Sequence, residues 1–436
     1  MSDFSPGRLF SILAHLPVPD RYLLAFSGGL DSHVLVQALA ILRPQLSAKL
    51  AVVHVNHGIH PESGGWAEHC RQVCERLGLA FDMHTVNARP QQGQSPEAAA
   101  RQARYAVFTG LIGAGDMLLT AHHQDDQAET LLLQLLRGAG PKGLAAMPEL
   151  KDFGAGYHAR PLLAFTRESL AAYAYQQGFA WIDDPSNDEP VYRRNFLRHE
   201  ILSRLRQQWP ALSRTLSRSA GLCAEAAELL DELADKDLDA LRHEDSISLP
   251  GLLALTPSRQ RNLLRRWCVR EQLSLPSEAQ LHQIQQQIVA APDHMPVISW
   301  PGAEFRRYQD RVFLLPPLPP VTPDISFDWD LDQVLKLPQG TLTAVMGCRN
   351  GLTERIKRQR IRVTFRVGGE RLLMTSGHHH PLKKLFQEYR VLPWWRNRIP
   401  LIYVDDELAA VADLVIDSRF RAQPGESAIR LEWQKY

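Results

Sequence analysis

The sequence predicts an α/β fold: a parallel sheet wrapped by helices over residues 22–184, a mostly helical middle, and a small α+β C-terminal domain. Three observations carry this. Short apolar runs alternate with helix-periodic segments from residue 22 to about 184. A proline-rich stretch at 315–323 (LPPLPPVTP) reads as a stiff linker. A strongly basic block follows it. At 436 residues the chain fits roughly two to four domains.

Composition excludes little else. Hydrophobic residues make up 44% and charged residues 22%, enough for ordinary cores, and a net charge of +1 leaves a nucleic-acid partner to be decided by charge distribution. Five scattered cysteines, at 70, 74, 223, 268 and 348, form no CxxC pair and suit a reduced cytoplasmic protein. Cys70 and Cys74 fall in helical register with Trp66, Val73 and Leu77 and are expected in the core. The N-terminus lacks a signal-peptide pattern, and no apolar run approaches a membrane span.

In chain order, strands are expected at 23–26, 50–55, 81–86 and 117–121, with a weaker pair at 158–162 and 180–182. Between them Ser95 and Pro96 read as an N-cap and a first helical residue, and Gly78, Gly138 and Gly178 as helix stops. After residue 198 the pattern turns helical to about 242, with Leu202, Leu205, Leu212, Leu216 and Leu222 marking apolar faces and Pro210 interrupting them. The segment 246–315 adds a helix at 259–272 and a strand at 304–315.

Ligands of such sheets sit beyond the carboxyl ends of the strands. That rule gathers four loops: SGGLDS at 27–32, HVNHG at 54–58, AHHQDDQAET at 121–130 and DDPSN at 183–187. SGGLDS organises the rest. Gly28 and Gly29 let the backbone approach an anion, and a helix opening at Ser32 points its positive end there. The plainer reading is a strand-to-helix turn with Asp31 or Ser32 as N-cap. No Lys followed by Ser or Thr completes a Walker loop, and no third glycine completes a dinucleotide fingerprint. In AHHQDDQAET, Asp126 and Glu129 share a helical face and could hold an ammonium group, or simply favour the helix dipole; His122 and His123 could be packing residues.

The hexapeptide resembles the pyrophosphate loop of ATP pyrophosphatases. With HVNHG, AHHQDDQAET, ARQARY at 100–105, LLRGAGPKGLAAM at 135–147 and DDPSNDEPVYRRNFLR at 183–198, the region 20–205 closely resembles the tRNA(Ile)-lysidine synthetase family. RVGGERL at 366–372 and the segment 378–404 resemble that family's C-terminal domain, as in its longer form. The resemblance implies a Rossmann-like catalytic domain at 1–210, a middle domain at 211–320 and a tRNA-binding domain at 321–436. It implies ATP bound by Ser27, Gly28, Gly29, Leu30, Asp31, Ser32, His54 and Asn56, with Asp31 placing Mg²⁺.

The implied reaction joins free L-lysine to the wobble cytidine in the CAU anticodon of a minor tRNA(Ile), changing its codon from AUG to AUA and its identity from Met to Ile. The base carbonyl oxygen attacks the α-phosphorus, pyrophosphate leaves, and the lysine ε-amine then displaces AMP. With a reference pKa near 10.4, that amine must shed a proton, and Asp126 or Glu129 is suited to orient it or receive the proton. Arg101, Arg104 and Arg194 are basic candidates for phosphates or the substrate carboxylate. A homodimer is compatible with the resemblance; a membrane partner is not expected. Rival readings are a tRNA thiolase built on the same loop, which generally needs reactive cysteines, and a non-catalytic RNA-binding protein that senses nucleotide.

Residues 355–398 hold 12 Lys or Arg against two acids, Glu370 and Glu388, an excess of +10. Phe386, Tyr389, Trp394 and Trp395 are interleaved with it, so one surface is expected to supply phosphate contacts and base stacking. The RNA candidates are Arg193, Arg198, Arg371, Lys383, Lys384, Arg390 and Arg396. The tract His378, His379 and His380 has no Cys or acidic partner at ligand spacing and is expected in RNA contact or packing.

Overall fold

Residues 22–25 are apolar on both faces because helices cover both sides of the strand they form. In β1 (Arg21–Ala25), Tyr22 and Leu24 join one core cluster while Leu23 joins another on the opposite face. The computed structural model describes residues 3–58, 60–90, 95–183, 193–289, 295–321 and 325–435. The chain divides into two units, 1–230 and 231–436.

In the first unit, α1 (Pro6–Leu13) precedes β1, and α2 (Leu30–Leu42), β2 (Lys49–Asn56), α3 (Ser63–Leu77), β3 (Ala80–Thr85), α4 (Pro96–Leu111), β4 (Asp116–Leu119) and α5 (Gln124–Leu135) follow. Then come α6 (Pro141–Leu144), β5 (Leu150–Phe153), β6 (Gly156–Ala159) and α7 (Arg167–Gln176). The sheet order is β3-β2-β1-β4-β6-β5. All pairs are parallel except β5–β6, so the expected parallel sheet carries one antiparallel edge. The order reverses between β1 and β4, the place where ligands bind in sheets of this kind. One core packs α1, α2, α3 and α7 on one face; α4 covers the other through Phe108 and Ile112.

Ser95 caps α4 as expected, its side chain accepting from Ala98 N, and Gly78 ends α3 in the left-handed region. Cys70 and Cys74 are fully buried. Two expectations fail here. Residues 180–182 form no strand; their backbone crosses the first loop instead, Ile182 N donating to Gly28 O at 3.0 Å. The helix after that loop starts at Leu30 with Gly29 as its cap, not at Ser32 with Asp31 or Ser32 capping.

After residues outside the description, α8 (Arg193–Phe196), a π-helical stretch (Leu197–Leu202) and α9 (Ser203–Gln208) run into a break at Trp209 and Pro210, then α10 (Leu212–Leu241). Leu202 and Leu212 are buried, but Leu222 is 60% exposed and lies off the buried face of α10, which carries Ala220, Ala234 and Leu238. Among the described residues no helix is long and apolar enough to cross a membrane.

In the second unit, three helices (Leu249–Ala254, Pro257–Arg270, Glu278–Gln287) pack through Leu252, Leu263, Trp267 and Ile284 on a five-stranded sheet. The expected strand at 304–315 is a hairpin, Ala303–Tyr308 paired with Arg311–Leu315, because Gln309 turns with φ 55°. Beyond 325, antiparallel sheets are joined by the helix Leu382–Glu388. Its Leu382, Leu385 and Phe386 are buried against Ile399 and Leu401.

Candidate active site

The loop 27–32 turns at Gly28, where φ is +88°. A Cβ there would lie 2.5 Å from Ile182 Cδ1 and 3.0 Å from Cys70 Sγ, so the first glycine is required by packing as well as by conformation. Ser32 Oγ donates to Gly29 O at 2.9 Å and meets Ser27 Oγ at 3.0 Å, which ties the loop to the first turn of α2. The N–H groups of the first turn of α2 have no intrahelical partner, which leaves donors and the positive end of the helix dipole beside the loop. Leu30 is in the core, so only its backbone is available to a ligand.

His54 is buried, its Nδ1 2.8 Å from Phe26 O, and it ties β2 to β1. Asn56 shapes the next turn, Oδ1 accepting from Gly58 N at 2.8 Å. Arg101 and Arg104 lie one turn apart on α4, and Arg101 stacks over Tyr105 at 4.8 Å. Burial makes the His54 and His57 rings resist protonation, and the charge on Arg104 depresses both further.

The loop after β4 supplies the centre of the site. His123 caps α5 in a reciprocal box with Asp126: His123 N donates to Asp126 Oδ2 at 3.0 Å, and Asp126 N approaches His123 Nδ1 at 3.4 Å. The Nε2 of His123 lies 3.5 Å from Asp31 Oδ2 and 3.4 Å from Asp126 Oδ2, bridging the first loop to α5. Burial opposes a charge on this ring, but Asp126 and Asp31 outweigh it and push its pKa up to about 9. These carboxylates favour the charged form of the ring, at the expense of the 3.4 Å contact in which Asp126 N points at Nδ1. Asp126 is itself held well below the usual range, burial being overcome by His123 and Arg194.

Asp126 and Glu129 do share a face, and that face meets arginine. Arg194 donates to Glu129 Oε2 at 2.7 Å and Asp126 Oδ1 at 2.9 Å; Arg198 donates to Glu129 Oε1 at 2.6 Å. Glu129 is 1% exposed, so this is a buried network rather than a dipole ornament. Asp125 is tied in turn to Arg167 N (2.8 Å), Ser213 Oγ (2.6 Å) and Arg206, fastening the start of α10 to α5. Arg193 is exposed beside the network.

Four roles were not read from sequence: His123 as a bridge, Asp125 as a tether, Ile182 as the roof of Gly28, and Arg198 as a partner of Glu129. His123 and Asp125 stand in the AHHQDDQAET stretch and Arg198 closes the stretch 183–198, so a signal existed for all but Ile182. The loop 183–187 lies outside the described residues except Asp183.

Asp31 Oδ1 is buried without a hydrogen-bond partner. An orphaned carboxylate oxygen beside a glycine turn and a helix N-terminus fits Mg²⁺, an ion held by one or two carboxylates plus substrate phosphates. Among the described residues no group of three His, Cys, Asp or Glu is arranged to hold a metal alone.

Of the RNA candidates in the second unit, Arg371, Lys383, Lys384 and Arg390 are exposed, Lys384 lying 3.8 Å from Glu388. Arg396 is half-buried, donating to Val391 O at 2.9 Å and Tyr308 OH at 3.2 Å. The expected stacking surface is smaller than the sequence implied: Phe386 and Trp394 are core residues, Trp394 edge-on to Phe313 at 4.9 Å, which leaves Tyr389 exposed and Trp395 partly so. His378 and His379 are exposed at the hairpin that pairs Arg371–Leu373 with His379–Pro381.

Three family models match the chain: a PP-loop domain over residues 8–205, a TilS substrate binding domain over 247–313 and a TilS substrate C-terminal domain over 361–433. The tRNA(Ile)-lysidine synthase of Coxiella burnetii is 42% identical over 437 residues, covering 99% of this chain and 97% of that protein. That of Methylococcus capsulatus is 43% identical over 436 residues, covering 98% and 99%. That of Alkalilimnicola ehrlichii is 42% identical over 427 residues, covering 97% and 96%.

Proposed function

The chain belongs to the tRNA(Ile)-lysidine synthase family, and on that premise we propose that its crevice adenylates the wobble cytidine of tRNA(Ile) and transfers lysine to it. It is an enzyme that forms lysidine and uses ATP. The observation that carries the site assignment is the juxtaposition of two unlike loops at one end of the sheet. A phosphate cradle at 27–32 stands one histidine away from a buried acid–arginine network.

The cradle's backbone donors and the α2 dipole receive the phosphates, and pyrophosphate leaves into them. Asp31 supplies the carboxylate oxygen for Mg²⁺, which when bound neutralises phosphate charge. His123, charged at neutral pH, holds Asp31 and Asp126 in fixed relation. Arg101 and Arg104 face the same end of the sheet as electrostatic partners for phosphate.

Asp126 and Glu129 are our sites for the lysine ammonium. Both carry guanidinium groups already, so lysine enters by taking over a carboxylate oxygen from Arg194 or Arg198. The released guanidinium is then suited to the substrate's own carboxylate. Lys383, Lys384, Arg371 and Arg390 contribute affinity for the tRNA body, and Arg193 for the part nearest the crevice. A homodimer and a cytoplasmic location belong to this reading; sedimentation checks the first.

A thiolase is disfavoured by the thiols themselves, since burial pushes Cys70 and Cys74 up to about 12 and keeps them protonated. The deciding experiment is pyrophosphate release from ATP with purified tRNA(Ile), with and without lysine. Asp31→Asn is expected to lower it by about a hundredfold or more while the protein unfolds at the same temperature. Undiminished release would remove Asp31 from the site. Binding of tRNA and ATP without any release would favour a nucleotide sensor.

A further inference from the structure

A second polar chain runs behind the crevice, through residues the proposed reaction does not use. Arg160, 3% exposed, donates from Nη1 to Pro148 O at 2.7 Å and places Nη2 3.2 Å from His158 Nδ1. His158 is completely buried, and its Nε2 lies 2.9 Å from Thr120 Oγ1. The same hydroxyl lies 2.8 Å from His122 Nδ1. Thr120 and His122 belong to the loop that leaves β4, at the point where the strand order reverses.

Proton counting along this chain allows one arrangement. A guanidinium has donors only, so His158 Nδ1 must accept. His158 is then neutral with its proton on Nε2, which donates to Thr120 Oγ1. The threonine hydroxyl has a single proton, and the remaining acceptor is His122 Nδ1. His122 is therefore left with its own proton on Nε2, an atom that makes no hydrogen bond among the described residues. Charging His122 would put a second donor on Thr120 and strand the hydroxyl proton. The surrounding charges agree: burial and Arg160 hold His158 at about 2, while burial, opposed by Asp126 and aided by Arg160, Arg194 and Arg101, holds His122 at about 3.

We propose that Arg160, His158 and Thr120 are positioning residues that fix His122 as a neutral imidazole with its proton on Nε2. That proton is a donor held ready for an anionic oxygen of the bound nucleotide. The nucleotide half of this statement rests on the function proposed above; the tautomer does not. A neutral donor suits the place, because it polarises an oxygen without adding a titrating charge beside the His123 imidazolium. The two adjacent histidines are thus driven to opposite protonation states, His123 by carboxylates and His122 by an arginine acting through two neutral groups.

The test is made on the full chain without ligands at pH 7, with ¹⁵N-labelled histidine and the His122 signals assigned from a His122→Gln spectrum. The expected pattern has Nε2 protonated and Nδ1 bare. Thr120→Val is expected to shift part of His122 to the other tautomer. It should also lower kcat for pyrophosphate release by roughly tenfold or more, with KM for ATP changed less than about twofold. Thr120→Ser, which keeps the hydroxyl, should restore both. A protonated Nδ1 or a charged ring in the unaltered protein overturns the proposal, as does an unchanged tautomer in a folded Thr120→Val. If the tautomer is as expected but the unaltered enzyme releases no pyrophosphate with tRNA(Ile), the functional reading fails and the chain stands.

Discussion

In the N-terminal unit Arg194, Arg198 and Arg206 commit their charge to Asp126, Glu129 and Asp125, whereas in the C-terminal unit Arg371, Lys383, Lys384 and Arg390 keep theirs in water. Both regions read from sequence as basic stretches suited to RNA. Burial separates them. A guanidinium taken out of water must find a carboxylate or shed its stability, while an exposed ammonium loses little by waiting for a phosphate. The same comparison explains the aromatics: Trp394 faces the core beside the basic block, and Tyr389 faces out.

The largest expected effect breaks the buried side of this comparison. Glu129→Gln leaves Arg194 and Arg198 without their main partner and should cost about 3–5 kcal/mol in the stability of the N-terminal unit. In the enzyme that still folds, it should raise the lysine requirement far more than the ATP requirement. Thermal unfolding and lysine titration together check it; normal lysine dependence would reduce Glu129 to an anchor for arginine.

A smaller effect comes from His123. Its folded pKa, about 9, lies above its ordinary value of 6.5, so its contribution is complete below about pH 6.5 and is lost as pH rises through 9. The loss is at most about 3 kcal/mol. Unfolding temperature should fall more steeply between pH 6.5 and 9.5 in the unaltered protein than in His123→Gln. Parallel curves would mean that the ring is neutral throughout.

The smallest change in stability is expected on the exposed side. Lys383→Ala with Lys384→Ala should alter stability by less than about 0.5 kcal/mol. It should also reduce the salt slope of tRNA binding by about two units, one for each ammonium that no longer neutralises a phosphate. Unchanged affinity and slope would move the RNA anchor to Arg193 and its neighbours.

By itself the sequence determined the strands β1 to β4, the caps at Ser95 and Gly78, the cradle at 27–32 and the shared face of Asp126 and Glu129, because each depends on spacing within one element or one turn. Tertiary structure alone decided that 180–182 would roof Gly28 instead of joining the sheet. It also decided that β5 would run antiparallel, and that Arg194, Arg198 and Arg206 would turn toward acids while Arg193 stayed in solvent. The protonation states of His122 and His123 were beyond any local reading. Two adjacent residues of one type differ only in what the fold brings against them: Asp31 and Asp126 on one ring, and a chain ending at Arg160, 38 residues beyond His122 in sequence, on the other.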